Sequence, residues 1–179
     1  MLLNLSDVFT TKGKVTNVAV PLEMTSFRSK MGDYPVQEKG TIDFTFTNLA
    51  RNRVKAHGNM EMVFETWCDR CLKDIPTKLS IHFERMLSSE ISDRQEASSS
   101  DEFHDDIAFM EGYQLNTEVF AYHEILVNWP AKILCSPDCR GTCPVCGFDL
   151  NKGECGCDTF VPDPRMAVIK DIFNTDKEV

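Results

Sequence analysis

The chain has 179 residues, with 19 Lys+Arg against 28 Asp+Glu for a formal net charge of −9, and it is 42% hydrophobic and 26% charged. These proportions predict a soluble globular protein, one compact domain with appended pieces. They exclude a whole-surface, non-specific grip on phosphate, which needs a positive field.

The first residues, Met1 to Asp7, contain no basic segment followed by a long apolar stretch, and no window of about 18 apolar residues suggests a membrane span. The expectation is a cytoplasmic chain with no membrane partner, whose thiols stay reduced. Charge is uneven along it: net +2 over residues 1–87, net −9 over 88–130, where Arg94 is the one cation, and net −2 over 131–179.

Val15 to Met24 reads as a first strand. Further on, Ile42, Phe44 and Phe46 alternate with Asp43, Thr45 and Thr47. Val54, Ala56, Met60, Met62 and Phe64 then alternate with Lys55, His57, Asn59, Glu61 and Glu65. After a turn, Ile75, Leu79, Ile81, Phe83 and Leu87 face away from Lys78, Ser80, His82 and Glu84. A period of 2 held this long predicts half-buried antiparallel strands over residues 1–87, as a meander or partly closed barrel. The remaining positive charge lies here, at Arg51, Arg53, Lys55, Arg70, Lys73 and Lys78, and marks the surface for RNA if RNA is a partner.

Between the last two strands lies Trp67-Cys68-Asp69-Arg70-Cys71. A Trp-Cys-x-x-Cys run resembles thiol–disulfide oxidoreductases, but those enzymes place the first Cys at a helix N-terminus that stabilises its thiolate, and Pro76 with strand alternation follows here. Two readings stay open: a second metal site, completed by Cys135 and Cys139, or two buried thiols.

Residues 88–112 are polar and acidic and read as a flexible loop. Thr117 to Asn128 reads as a helix capped by Asn116 or Thr117, with Val119, Tyr122, His123 and Leu126 on one stripe and Pro130 beyond its end. Six cysteines follow within 23 residues, as Cys135-x3-Cys139-x3-Cys143-x2-Cys146-x8-Cys155-x-Cys157. Thiolate is a soft ligand that Zn²⁺ takes four at a time, and Cys143-Pro-Val-Cys146-Gly147 is a tight turn that aims two sulfurs at one ion. Cys155 and Cys157 supply the other two, so one zinc ion is expected and a second would use Cys68, Cys71, Cys135 and Cys139. A last helix starts with Asp163 as cap and Pro164 at its first position, carrying Met166, Ile169, Ile172 and Phe173 at helical spacing. The expected fold is therefore α+β, an antiparallel sheet or partly closed barrel (1–87), an acidic loop (88–112), and a small zinc-binding, helix-flanked C-terminal module (113–179).

Catalytic signals are thin. His57, His82, His104 and His123 are scattered, and there is no His-Glu-x-x-His pair, Gly-x-Ser-x-Gly elbow, Walker loop or dinucleotide fingerprint. A four-thiolate zinc has no open position for activating water. Neither an enzyme nor a small-molecule substrate is expected.

The order of motifs carries a resemblance. Cys68-Asp-Arg-Cys71-Leu72 between strands, an acidic middle, a helix running through Glu124 to Trp129-Pro130, the six-cysteine cluster, and Asp163-Pro164-Arg165 together resemble the YceD family, the large ribosomal RNA subunit accumulation proteins of bacteria and plastids. The resemblance spans residues 15 to 173 and implies a non-enzymatic role in accumulation of 23S ribosomal RNA. The implied partner is large-subunit RNA or a large-subunit ribosomal protein, for which the acidic stretch from Glu90 to Glu111 is the natural contact. Some members keep the first Cys-x-Arg-Cys and lack the later cluster, which speaks against a site shared by the two regions. The competing reading is a zinc-stabilised protein–protein adaptor not tied to ribosomes.

Overall fold

The structure is a computed structural model and describes residues 1–30, 32–50, 52–89 and 109–157. The acidic stretch 90–108, the last helix expected from Asp163 and Arg51 lie outside the described residues. The chain divides into two compact units, Met1–Trp67 with Asp74–Ile133, and Cys68–Lys73 with Leu134–Val179. The first helix of the C-terminal region belongs to the first unit, and the Cys68–Lys73 turn belongs to the second.

In the first unit the elements run β1 (Leu2–Asn4), α1 (Ser6–Thr10), β2 (Val15–Pro21), β3 (Ser26–Ser29), β4 (Gly32–Glu38), β5 (Thr41–Ala50), β6 (Arg53–Trp67), β7 (Asp74–Ser88), β8 (Met110–Glu111), β9 (Gln114–Asn116) and α2 (Thr117–Asn128). Six strands form one antiparallel sheet in the order β2-β5-β6-β4-β3, with β7 also on β6. The 15-residue β6 is its spine. One edge of β6 is shared between β5, from Met60 to Arg53, and β4, at Phe64 and Val63. The other edge pairs with β7 without a break, from Arg53↔Ser88 to Trp67↔Asp74. Among the described residues no pairing closes the sheet, so the partly closed barrel is corrected to an open sheet. A small separate sheet, β1-β9-β8, places Met110 and Glu111 in a strand within the segment read as loop.

The alternation does what its period requires. Ile42, Phe44, Phe46, Val54, Ala56, Met60, Met62, Phe64, Ile81, Phe83 and Leu87 are all buried in one cluster, while His57 and His82 are exposed on the other face. At about 25 cal/mol per Å² of apolar area removed from water, this face is the main source of the unit's stability. It is covered by α2, whose Phe120 meets Phe83 at 4.9 Å and Phe44 at 5.4 Å between ring centroids. The Asn116 side chain caps the helix, accepting a bond from the Val119 backbone N–H at 3.2 Å. Its buried stripe is Thr117, Phe120, Ala121, Glu124 and Ile125. The expected stripe of Val119, Tyr122, His123 and Leu126 is therefore displaced by about one position, and Leu126 is 44% exposed. The carboxylate at Glu124 concealed the true stripe.

Arg85 resolves that carboxylate. It stands on the core side of β7 and donates Nε to Glu124 Oε1 at 2.7 Å and an Nη to Oε2 at 3.2 Å. This bidentate fork fixes the helix on the sheet, with the Glu124 side chain 4% exposed and that of Arg85 43%. A smaller lock holds α1, where Asn48 Nδ2 donates to the Val8 and Phe9 carbonyls at 2.8 and 3.1 Å. Removing one partner of a buried ion pair costs more than the pair itself contributes, because a charge is left uncompensated. Arg85→Met is therefore expected to lower unfolding free energy by about 2–3 kcal/mol in urea titrations, since water partly reaches this site. Adding Glu124→Leu should recover most of the loss.

Candidate metal centres

The second unit has little regular structure among its described residues, and its folding is written in turns around cysteines. In the Cys68–Lys73 turn the Cys68 N–H donates to the Lys73 carbonyl at 2.8 Å and the Leu72 N–H to the Cys68 carbonyl at 2.9 Å. Leu72 pays for the tightness of this turn with φ of 58°. In the knuckle that follows Gly141, the Cys143 N–H donates to the Phe148 carbonyl at 2.8 Å and the Gly147 N–H to the Cys143 carbonyl at 2.9 Å. Gly147 takes φ of 73°, where its lack of a Cβ removes the strain.

All eight cysteines are free thiols, gathered in two fours. One is Cys68, Cys71, Cys135 and Cys139, and the other is Cys143, Cys146, Cys155 and Cys157, each with its sulfurs within 4.8 Å of one another. In the first, Cys68 Sγ lies 3.7 Å from Cys139 Sγ, and Cys71 Sγ lies 3.6 Å from Cys135 Sγ. A disulfide bond is about 2.05 Å. A tetrahedron with Zn–S bonds of about 2.3 Å has edges of about 3.8 Å. The spacing thus fits four thiolates around one ion, and either group can hold a metal such as zinc. The expected four come together, and the pair left open at Cys68 and Cys71 is completed by Cys135 and Cys139 despite the argument against a shared site.

Polar groups brace the unit. Arg70 donates an Nη to the Cys139 carbonyl at 2.7 Å, and its own carbonyl accepts from the Thr142 N–H at 3.2 Å. Gly141 permits that approach, because a Cβ there would stand 3.0 Å from the Arg70 carbonyl oxygen at φ of 78°. Asn151 donates from Nδ2 to Cys139 Sγ at 3.5 Å and accepts from the Arg140 N–H at 2.8 Å. Nothing in the cysteine spacing announced Asn151; its place in an Asp-x-Asn turn, with Asp149 Oδ1 accepting from its N–H at 3.0 Å, is the local signal.

The sulfurs do not share one electrostatic environment. Burial resists ionisation of Cys68, yet N–H groups around the turn, from Cys135, Cys71 and Arg70, outweigh it and bring the thiol down to about 6. Cys68 is thus lowered by turn N–H groups without a helix behind it. N–H groups of Cys146 and Val145 bring Cys143 to about 7. The neighbouring sulfurs of Cys139 and Cys71 push Cys135 up to about 12, and those of Cys146 and Cys155 push Cys157 up to about 12. Crowded thiolates repel, and a dication removes the repulsion.

The described basic residues singled out for RNA are divided between the two units. Arg53, Lys55 and Lys78 belong to the first unit, and Arg70 and Lys73 to the second. Lys55 Nζ lies 2.8 Å from Glu84 and Lys78 Nζ lies 2.7 Å from Glu61, each a cross-strand pair on the exposed face. Arg70 is spent on the Cys139 carbonyl, while Arg53 and Lys73 are exposed.

Fold and cysteines together define a class: an open antiparallel β protein with a cysteine-rich unit holding two groups of four cysteines. The model of one family, described as "Large ribosomal RNA subunit accumulation protein YceD", matches residues 56–173, well over half of the chain and all eight cysteines. The chain belongs to the YceD family. Neither the curated proteins nor the solved structures contain a match. Among the described residues no helix is long and apolar enough to cross a membrane.

Protein prepared without chelator is expected to carry two metal ions per chain in native mass spectrometry, falling to one in Cys135→Ser and in Cys143→Ser. A native chain free of metal would remove both sites. Because a metal competes with protons for thiolate, binding weakens as pH falls. Acidification should therefore empty both groups. Metal release to a chromogenic chelator, in the two serine variants, follows each group by itself.

Proposed function

We propose that the protein is a non-enzymatic cytoplasmic factor that supports accumulation of large-subunit (23S) ribosomal RNA, with two zinc ions holding its cysteine-rich unit in shape. The single observation that carries this reading is the family match over residues 56–173, whose name implies that role. Tetrathiolate sites with no open ligand position support a structural metal over one that activates water. The partner is a component of the large subunit. The net charge of −9 and the glutamate partners of Lys55 and Lys78 favour a protein component over bare RNA.

Cells lacking the gene are expected to contain less 23S than 16S RNA, with the ratio restored by the native chain and not by the double variant Cys135→Ser/Cys143→Ser. The protein should also travel with large-subunit precursors in density gradients at low salt. An unchanged 23S level together with no co-sedimentation would instead support the adaptor unconnected to ribosomes.

A further inference from the structure

The exposed face of the sheet carries two depressions that differ in charge. One, of about 500 Å³ around Asn59, Glu61 and Lys78, is lined by charges of both signs, Lys39 and Lys78 with Glu38, Asp43 and Glu61. The other, of about 610 Å³, lies over the ends of β4, β6 and β7, and its walls include Asp33, Glu65 and Asp74, with no lysine or arginine among them. Its apolar surface comes from Trp67, Pro35 and Pro76. Trp67 is 38% exposed and is held by stacking on the buried Tyr34, with ring centroids 5.2 Å apart and planes at 26°. In the β6–β7 ladder Asp74 stands directly opposite Trp67, and Pro76 opposite Glu65, so carboxylates and indole share one patch.

From this groove we infer a docking site for an arginine- or lysine-rich segment of a protein partner. A cation over the face of a Trp is attracted by the ring quadrupole, and carboxylates beside the ring complete its neutralisation. The groove already shows the chemistry once: Arg28 donates Nε to Asp33 at 2.9 Å. Glu65 and Asp74 have no such cation among the described residues. These two carboxylates also repel phosphate, which argues against a base stacked on Trp67. The inference deepens, and rests on, the proposal that the partner is a large-subunit component, by assigning that partner a basic protein segment.

The test uses the full-length metal-loaded protein and follows the indole N–H resonance of Trp67, assigned with Trp67→Phe. The probes are a synthetic arginine/lysine/glycine peptide, the same peptide with glutamine at every basic position, and an oligouridine of similar length. The basic peptide should shift Trp67 saturably and the glutamine peptide should not. Glu65→Gln with Asp74→Asn, both on exposed positions, should weaken binding about fivefold or more and flatten its salt dependence. An unchanged affinity in that double variant overturns the inference, as does saturable binding of oligouridine at Trp67. Peptide binding reads the groove alone, whereas 23S levels in cells read the proposed function, so each can fail while the other stands.

Discussion

The first unit depends on β6 being paired on both edges along nearly its whole length. A strand in this position has no freedom of register, because a shift by one residue would send Val54, Ala56, Met60, Met62 and Phe64 to water and bring Lys55, His57, Asn59, Glu61 and Glu65 inside. Strands β4 and β5 share one edge of it end to end, and β7 takes the other. The position of α2 follows, since Phe120 packs where Phe44 and Phe83 already stand side by side.

The second unit obeys a different constraint. Its described residues offer few apolar side chains, so the cost of ordering the backbone must be met by bonds to sulfur and by hydrogen bonds within turns. Without a cation each crowded sulfur hinders ionisation of its neighbours, which raises Cys135 and Cys157. With one, the same crowding becomes four ligands at the right distance. Arg70, Gly141 and Asn151 then act as fittings that hold the cysteine turns at that distance.

How much of this could be read from the residues depends on the range of the interactions. The long strands were legible because period 2 is a local property, and the Cys143 group because its four members fall close together in the chain. The short β1, α1, β8 and β9 left no periodic trace, having five residues or fewer. The α2 stripe was misplaced because Glu124 is buried only by virtue of Arg85, 39 residues away. The neutralisation of Lys55 and Lys78 likewise appears only when the register sets Glu84 and Glu61 beside them. Openness of the sheet is a matter of which edges remain unpaired, and alternation within a strand carries no information on that.

The two sulfur groups close loops of very different length. Cys71 and Cys135 are 64 residues apart, as are no two members of the group between Cys143 and Cys157. Loop-closure entropy grows with the logarithm of length, so gathering the distant pair costs about 1 kcal/mol more than gathering a pair some 14 residues apart. During synthesis the turn at Cys68 must also wait for the chain as far as Cys139 before its group is complete. The chain from Cys143 to Cys157 emerges as one short run. Order of emergence and order of entropic cost therefore diverge: the costlier group is complete first, four residues before the cheaper one begins.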